Sequence, residues 1–447
     1  MTASSTRQER RSIEQDAAQR ARAAGVNPVD YLRSRGYVYD ITDEDGLRRA
    51  FAGGTVTAYV GFDPTAPSLH VGHLLSIMML ASLQRFGHRP IALAGGGTAL
   101  VGDPSGKTAT RAVLSEETIQ QNLRAILPQF DRYLDFAGGR FGENPPALLM
   151  NNADWLLPLR YIPFLRDIGR YFSVNEMLAA ETYRQRLDAG IGLNFVEFNY
   201  RIVQAYDFLH LYRTTGCRLQ MGGSDQWGNI VAGVDLIRRA DGGEAFGLVC
   251  PLLTTASGQK MGKTEAGAVW LDPALTSPYD YYQYWINVDD ADVGRFLRLY
   301  TFLPEERIVE LTSVSGAALR EAKRVLAYET TSLTHGDSAA REAEAAARAL
   351  FSRHVDVSTD ALVVEMPTVE IPAAELAAGL SVADVFVRAG LCASKSEARR
   401  LAAQGGLSID GVRIDDADRP FPLAGEAALL RVGKKRYKRL IVTGASD

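Results

Sequence analysis

Only three cysteines occur in the 447 residues, at positions 217, 250 and 392. So few, so far apart, exclude a disulfide framework and a cysteine-built zinc site, and point to a reducing compartment and a cytoplasmic location. Long apolar runs are missing too. The best candidate, Leu74 to Leu83, is broken by Ser76 and Ser82 and falls short of the ~18 residues a membrane helix needs. The opening MTASSTRQERRSIEQD mixes both signs of charge without an apolar stretch, so it reads as neither a signal nor a transit peptide. A surplus of positive charge is absent as well: the formal net charge is −4. That argues against coating nucleic acid non-specifically and leaves local patches open. What remains is ordinary globular material, 46% hydrophobic and 23% charged, with enough apolar residues for more than one core. At roughly 150 residues per domain, the length suggests about three domains.

From 55 to 250 short apolar runs alternate with amphipathic stretches. Thr57 to Phe62 reads as a strand ended by the turn Asp63-Pro64, and Leu74 to Arg85 as a helix closed by Gly87 with Ser68 available as its N-cap. Pro90 to Ala94, Ala147 to Met150 and Leu219 to Gly223 read as three more strands, with helices from about Phe195 to Tyr212 and from near Asp225. Strands alternating with helices imply parallel βαβ units and a doubly wound α/β sheet, whose ligands bind at the carboxyl ends of the strands. From about 275 the strand signals vanish, and 305–351 is rich in Ala, Glu and Arg at helical spacing. Residues 354–379, with Pro367 and Pro372, look like a linker. Beyond Leu380, two short helices precede a strand, an Asp410-Gly411 turn and a second strand. Residues 1–30 read as a frayed or disordered extension.

Five segments could carry chemistry. His70-Val71-Gly72-His73 stands at the start of the first long helix. Two histidines there can cap the helix, or can bind phosphate beside its free N–H groups, with Gly72 allowing a ligand close to the backbone; a metal pair lacks a third ligand nearby. Gly102-Asp103-Pro104-Ser105-Gly106-Lys107-Thr108 is one residue too short for a Walker loop and follows no strand directly. It is a solvated turn or a source of mobile phosphate contacts, Lys107 and Arg111. Tyr200, Gln204 and Asp207, spaced i, i+4, i+7, share one face of a helix. That row is either an exposed polar face or a hydrogen-bonding wall, and apolar neighbours on adjoining faces favour the wall. In Gly222-Gly223-Ser224-Asp225-Gln226-Trp227-Gly228-Asn229 the glycines admit a ligand close to the backbone, and Asp225 can accept from ribose hydroxyls or cap a helix. Lys260-Met261-Gly262-Lys263-Thr264 sets two lysines about a glycine, suited to charge that develops on phosphates.

Taken jointly and in this order, the segments resemble the class I aminoacyl-tRNA synthetases and, among them, the bacterial tyrosyl-tRNA synthetases. His70 to His73 resembles the family's HIGH motif with Val for Ile. Lys260 to Thr264 resembles its KMSKS loop, with Gly and Thr at the third and fifth places. Tyr59 to Thr65, the GDPSGK stretch, Tyr200 to Asp207 and GGSDQWGN resemble tyrosyl-specific segments. The resemblance runs from about Tyr31 to Val442, and the last unit is similar to the S4 RNA-binding module. It implies an extension (1–30), a Rossmann-like parallel-sheet catalytic domain (31–270), a small all-α domain (271–353), a linker (354–379) and an S4-like α+β domain (380–447).

The resemblance further implies that L-tyrosine reacts with ATP, brought with Mg²⁺, to give tyrosyl-adenylate, and that the tyrosyl group passes to the terminal adenosine of tRNA(Tyr). Tyr59 and Asp207 would hold the phenol, Asp103, Tyr200 and Gln204 the ammonium, and Gln226 the carboxylate. Gly72, Gly223 and Asp225 would meet ATP, the last through its ribose. Thr65, His70 and His73 would meet the ATP phosphates, and Lys107, Arg111, Lys260 and Lys263 the departing pyrophosphate. For tRNA it offers Lys395, Arg399, Arg400, Lys434, Lys435, Arg436 and Lys438. No tightly bound cofactor, protein-held metal or membrane is implied, and the enzyme is expected to be a cytoplasmic homodimer. Three rivals stand beside this reading. A tryptophanyl synthetase would offer an indole N–H where the Tyr59–Asp207 pair suits a phenol. An HxGH nucleotidyltransferase would leave the lysine loop unexplained, and a non-catalytic RNA-binding protein would explain the tail alone.

Overall fold

A computed structural model describes residues 16–103, 114–190, 194–256, 258, 261–264, 267–351, 368–422, 425, 427–433 and 436–443. The chain forms two compact units, one from residues up to 276 with 285–334, the other from 277–284 with 335–447.

The first unit is built on a six-stranded sheet of β1 (Asp40–Ile41), β2 (Thr57–Phe62), β3 (Arg89–Ala94), β4 (Leu148–Asn151), β5 (Cys217–Gly223) and β6 (Phe246–Cys250). Their spatial order is β1-β6-β5-β2-β3-β4, parallel throughout except for the edge strand β1. The chain builds outward from β2 through β3 and β4, then returns to the other side of β2 with β5 and β6. The reversal between β2 and β5 is where an open parallel sheet leaves a crevice at its carboxyl edge. Strand β6, with sequence FGLVC, and its partner β1 were not apparent from sequence. A five-residue apolar run carries no alternation to separate a buried strand from a buried helix, and all five of its residues are buried.

Helix α1 (Ala17–Ala23) begins at Asp16, whose carboxylate accepts from the N–H groups of Ala18 and Gln19. The same carboxylate takes Arg85 Nε at 2.6 Å, and the Arg85 guanidinium lies over the rings of Phe141 and Phe302 at 3.9 and 3.6 Å. From Asp16 onward, then, the extension is packed against the domain. Helix α2 (Val71–Arg85) supplied Arg85 and is buried on every side, with Ile77, Met78, Met79, Leu80, Ala81 and Leu83 wholly inaccessible. A helix apolar all round is one covered all round. Gly87, at φ +86, turns the chain out of it. Ser68 is not its cap. That role falls to His70, while Ser68 hydroxyl bonds to the carbonyl of Leu69 and accepts from Asp272 N–H. Beyond β4 come the single turn α3 (Ala153–Leu156), then α4 (Phe195–Thr215), with a capping box of Asn194 and Glu197 at one end and Gly216 at φ +67 at the other. Next follows α5 (Trp227–Asp241).

The second unit holds a five-stranded sheet in the order β11-β10-β12-β13-β9, from β9 (Thr368–Pro372), β10 (Leu407–Ile409), β11 (Val412–Ile414), β12 (Ala427–Val432) and β13 (Arg436–Thr443). Asp410 and Gly411 both have positive φ, 49° and 80°, as a two-residue primed turn requires. Helices α6 (Val382–Arg388) and α7 (Lys395–Ala403) pack Val385, Phe386 and Ala398 onto Leu407, Leu430 and Leu440. The segment 354–379 differs from the linker expected of it. Its described part is β9, parallel to β13 with Ile371 buried, followed by the short helix Ala373–Ala377.

Candidate active site

A cavity of about 680 Å³ opens at the carboxyl ends of β2, β3 and β5. It is lined by Tyr59, Thr65, His70, Gly72, His73, Asp103, Tyr200, Gln204, Asp207, Gly223, Asp225 and Gln226, twelve residues that the sequence singled out for tyrosine and ATP. Lys107, Arg111 and Lys260 lie outside the described residues, as does the side chain of Lys263. The site has three corners of different chemistry.

The deepest is apolar with polar groups at its end. Tyr59 and Gln220 are register partners on β2 and β5, so their side chains share a face. Tyr59 is 1% exposed, its ring 5.3 Å from that of Phe208, and its hydroxyl has no hydrogen-bond partner among the described residues. A buried hydroxyl left unpaired costs on the order of 1–3 kcal/mol, so this one is a place held for a ligand. Asp207 faces the same corner. Its Oδ1 accepts from Trp155 Nε1 at 2.7 Å and its Oδ2 from Asn152 Nδ2 at 2.9 Å. Burial nevertheless dominates, pushing the carboxyl up to about 7 against the pull of those two donors. Neither Asn152 nor Trp155 was apparent from sequence. Their one signal is position, just past the carboxyl end of β4, which the parallel sheet brings beside β2 by way of β3.

The second corner is acidic. Tyr200 hydroxyl donates to Asp63 Oδ2 at 3.1 Å, and Thr98 hydroxyl to Asp63 Oδ1 at 2.7 Å. Gln226 Nε2 donates to Asp103 Oδ2 at 2.8 Å, while Asn229 Nδ2 lies 3.1 Å from Gln204 Oε1 and 3.2 Å from Gln226 Oε1. Two carboxylates with amide and hydroxyl partners make a seat for an ammonium group. Asp63 and Asn229 join this corner unannounced. In sequence Asp63 reads as turn punctuation before Pro64, and Asn229 as part of a helix start.

The third corner is the start of α2. His70 Nδ1 accepts from Gly72 N–H at 3.0 Å, and His73 Nδ1 accepts from His70 N–H at 3.1 Å. With both Nδ1 atoms engaged as acceptors, the neutral rings carry their protons on Nε2 and can donate from there. Their ring centroids are 4.0 Å apart, at the N-terminus of α2. The lysine loop lies over this turn. Gly262 has φ +79, and a Cβ there would stand 2.7 Å from Gly72 N. Val269 N–H donates to Gly262 carbonyl and Val71 N–H to Val269 carbonyl, both at 3.0 Å. Glycine at the third place of the loop is what lets this backbone pass so close. Asp225 sits in the turn Ser224–Gln226, its Oδ1 so near Gly223 that a Cβ there would come within 2.5 Å.

A family profile described as class I tRNA synthetases (W and Y) matches residues 52–352, and one described as the tyrosine–tRNA ligase SYY-like C-terminal domain matches 359–440. The tyrosine–tRNA ligase of Desulfosudis oleivorans is 52% identical over 438 residues, covering 93% of this chain and 99% of that protein. The chain belongs to the tyrosine–tRNA ligase family of class I tRNA synthetases. The tyrosine–tRNA ligase of Clostridium beijerinckii is 50% identical over 418 residues, 93% of this chain and 99% of that one. Among solved structures, a C-terminally truncated mitochondrial tyrosyl-tRNA synthetase of Aspergillus nidulans superposes with a TM-score of 0.66 at 32% identity, over 75% of this chain and 97% of that one. A tryptophanyl-tRNA synthetase of Aeropyrum pernix shares the fold at 18% identity, with a TM-score of 0.51 over 73% of this chain and 89% of that one.

This aminoacyl-tRNA synthetase carries its other expected contacts on the second unit. Lys395 pairs with Asp384 at 2.6 Å, Arg399 with Asp418 at 2.9 Å, and Arg436 reaches Leu391 carbonyl at 3.1 Å and Glu397 at 3.8 Å. Arg400 is exposed and Lys438 half-buried, while Lys434 and Lys435 lie outside the described residues. Three of the five described basic residues thus have acidic partners within the unit. Exposed pairs of this kind are worth about 1 kcal/mol or less and can be exchanged for phosphates.

Proposed function

We propose that the cavity activates L-tyrosine with MgATP and that the enzyme passes the tyrosyl group to the terminal adenosine of tRNA(Tyr). One observation carries the amino-acid choice: the Tyr59 hydroxyl, without a hydrogen-bond partner among the described residues, faces the same buried corner as Asp207. A phenol is both donor and acceptor, so it can donate to Asp207 and accept from Tyr59. An indole N–H can only donate and would leave Tyr59 unmet. Asp63, Asp103, Tyr200 and Gln204 then hold the ammonium, and Gln226 lies toward the carboxylate.

The carboxylate oxygen attacks the α-phosphorus, and the bond to the bridging oxygen breaks as pyrophosphate leaves. No protein nucleophile is needed, so catalysis is positioning together with donors aimed at the developing charge. Thr65 and the Nε2–H groups of His70 and His73 serve the phosphates, Asp225 takes the ribose, and Gly72 and Gly223 give ATP its approach. Lys107, Arg111, Lys260 and Lys263 meet the departing pyrophosphate. A terminal ribose hydroxyl of the tRNA next attacks the acyl carbon and AMP leaves. Lys395, Arg399, Arg400, Lys434, Lys435, Arg436 and Lys438 supply the phosphate contacts for that partner.

A homodimer in the cytoplasm completes the reading. Its support is the exposure of four large apolar side chains, Tyr161, Ile162, Val174 and Phe195, at 61%, 69%, 59% and 65%. The direct test is ATP–pyrophosphate exchange with tyrosine, tryptophan and phenylalanine in turn. Exchange with tyrosine alone is expected, and preferential exchange with tryptophan would overturn the proposal.

A further inference from the structure

The two donors that hold Asp207 are anchored very differently. Asn152 also accepts from Gly97 N–H at 2.7 Å and donates to Thr98 hydroxyl at 3.0 Å, so three bonds fix its amide plane. The indole of Trp155 has one hydrogen bond, the one to Asp207. Everything else that sets its angle is packing.

One face of that indole lies against the imidazole of His210, with ring centroids 4.3 Å apart and planes 14° from parallel. His210 follows Asp207 by three residues on α4, so the helix that presents the carboxylate also presents the ring behind the carboxylate's donor. The imidazole is supported in turn. Tyr206 stands 6.3 Å away, and Phe164 meets Tyr206 edge-on at 5.4 Å. Burial, helped by Arg213, holds the imidazole below its usual pKa. At neutral pH it is therefore an uncharged flat plate.

We propose that His210 is a positioning residue for tyrosine recognition: its ring, stacked on Trp155, keeps the indole N–H on Asp207 and so keeps the carboxylate aimed at the substrate phenol. The inference rests on the tyrosine-activation reading above. It says that discrimination at the buried end of the cavity is set in part by a half-buried residue that does not line the cavity. A side chain that merely filled space there would influence stability, not the choice between two amino acids that differ by one hydroxyl.

The test is pyrophosphate exchange of the full-length enzyme with tyrosine and with phenylalanine. An aromatic pair of this kind supports an effect of about 2- to 10-fold. His210→Ala should raise KM for tyrosine and lower the tyrosine-to-phenylalanine ratio of kcat/KM by that factor, leaving KM for ATP and kcat/KM for phenylalanine unchanged. His210→Phe, which keeps a flat ring, should restore the ratio. In a Trp155→Phe background, where the N–H is already gone, His210→Ala should change the ratio no further. Should His210→Ala not be recovered folded, His210→Leu, which fills the space without a plane, carries the same test. A ratio unchanged in the folded variant, or no rescue by Phe, overturns the role of His210. Failure of the wild-type enzyme to prefer tyrosine would instead strike the parent reading.

Discussion

Asp207 makes the recognition of tyrosine a titration. In the empty cavity burial holds its carboxyl at about 7, so near neutral pH the group divides between acid and carboxylate. A phenol O–H donating to it favours the charged form, which lowers the pKa in the complex. Binding of tyrosine below that point therefore expels a proton, and affinity must fall as pH falls. Each unit below the free-enzyme pKa costs up to about tenfold, so from pH 7.5 to 5.5 the Kd should rise by up to roughly 25-fold. Phenylalanine gives the carboxylate nothing and further shields it from water, so its affinity should hold steady or improve over the same range. Calorimetric titration of both amino acids without ATP, in buffers of different ionisation enthalpy, reads affinity and proton count together. Leaving out ATP keeps the histidine corner out of the result, and phenylalanine controls for Asp63 and Asp103 at the shared ammonium corner. Selectivity should widen as pH rises and level off above about 7. Parallel pH profiles for the two amino acids would refute the assignment of Asp207 to the phenol.

Tyr59→Phe removes one of two phenol partners and the unpaired hydroxyl with it. Tyrosine should still be activated, with the tyrosine-to-phenylalanine ratio in pyrophosphate exchange down by about 5- to 10-fold, the worth of one neutral hydrogen bond; an unchanged ratio would exclude contact with the substrate. Asp16→Ala leaves the Arg85 guanidinium buried and uncompensated between Phe141 and Phe302. Urea unfolding should show a loss of about 3 kcal/mol, whereas a loss near zero would mean that water reaches the charge. Ending the chain within 352–367, before β9, should abolish aminoacylation of tRNA while pyrophosphate exchange persists. Full aminoacylation by that truncated enzyme would remove tRNA binding from the second unit.

Legibility in the sequence followed the range of the forces involved. The strands β2, β3, β4 and β5 and the helix α2 announce themselves, β2 and β3 most plainly, because parallel strands buried on both faces are near-continuous apolar runs. The row Tyr200, Gln204, Asp207 was readable from helical periodicity alone, and all three line the cavity. What escaped was everything that required knowing which strand lies beside which. Asn152 and Trp155 reach Asp207 only because β4 is laid next to β3, which no local pattern encodes. Asp63 looks like turn chemistry and becomes a hydrogen-bond partner of Tyr200, far along the chain. The helix start was misplaced for a similar reason. A serine is the better cap by propensity, yet Ser68 is drawn away by Asp272 and Gln129, leaving the cap to His70.

The placement of β13 bears on how the second unit comes into being. It is the last of the described strands to emerge during synthesis, yet it lies in the sheet between β12 and β9, with Thr368 paired to Arg439 and Thr443 to Pro372. Until it is made, β9 has no neighbour to pair with, while the hairpin of β10 and β11 can already close. The first unit's parallel sheet is complete by Cys250. Folding therefore has an order: the chemistry can assemble early, and the second sheet is sealed by a late, sequence-distant pairing of the kind that slows folding. A weakened β13 should thus be felt first at β9, as a frayed edge on a half-made sheet, and only afterwards in the helices that cover it.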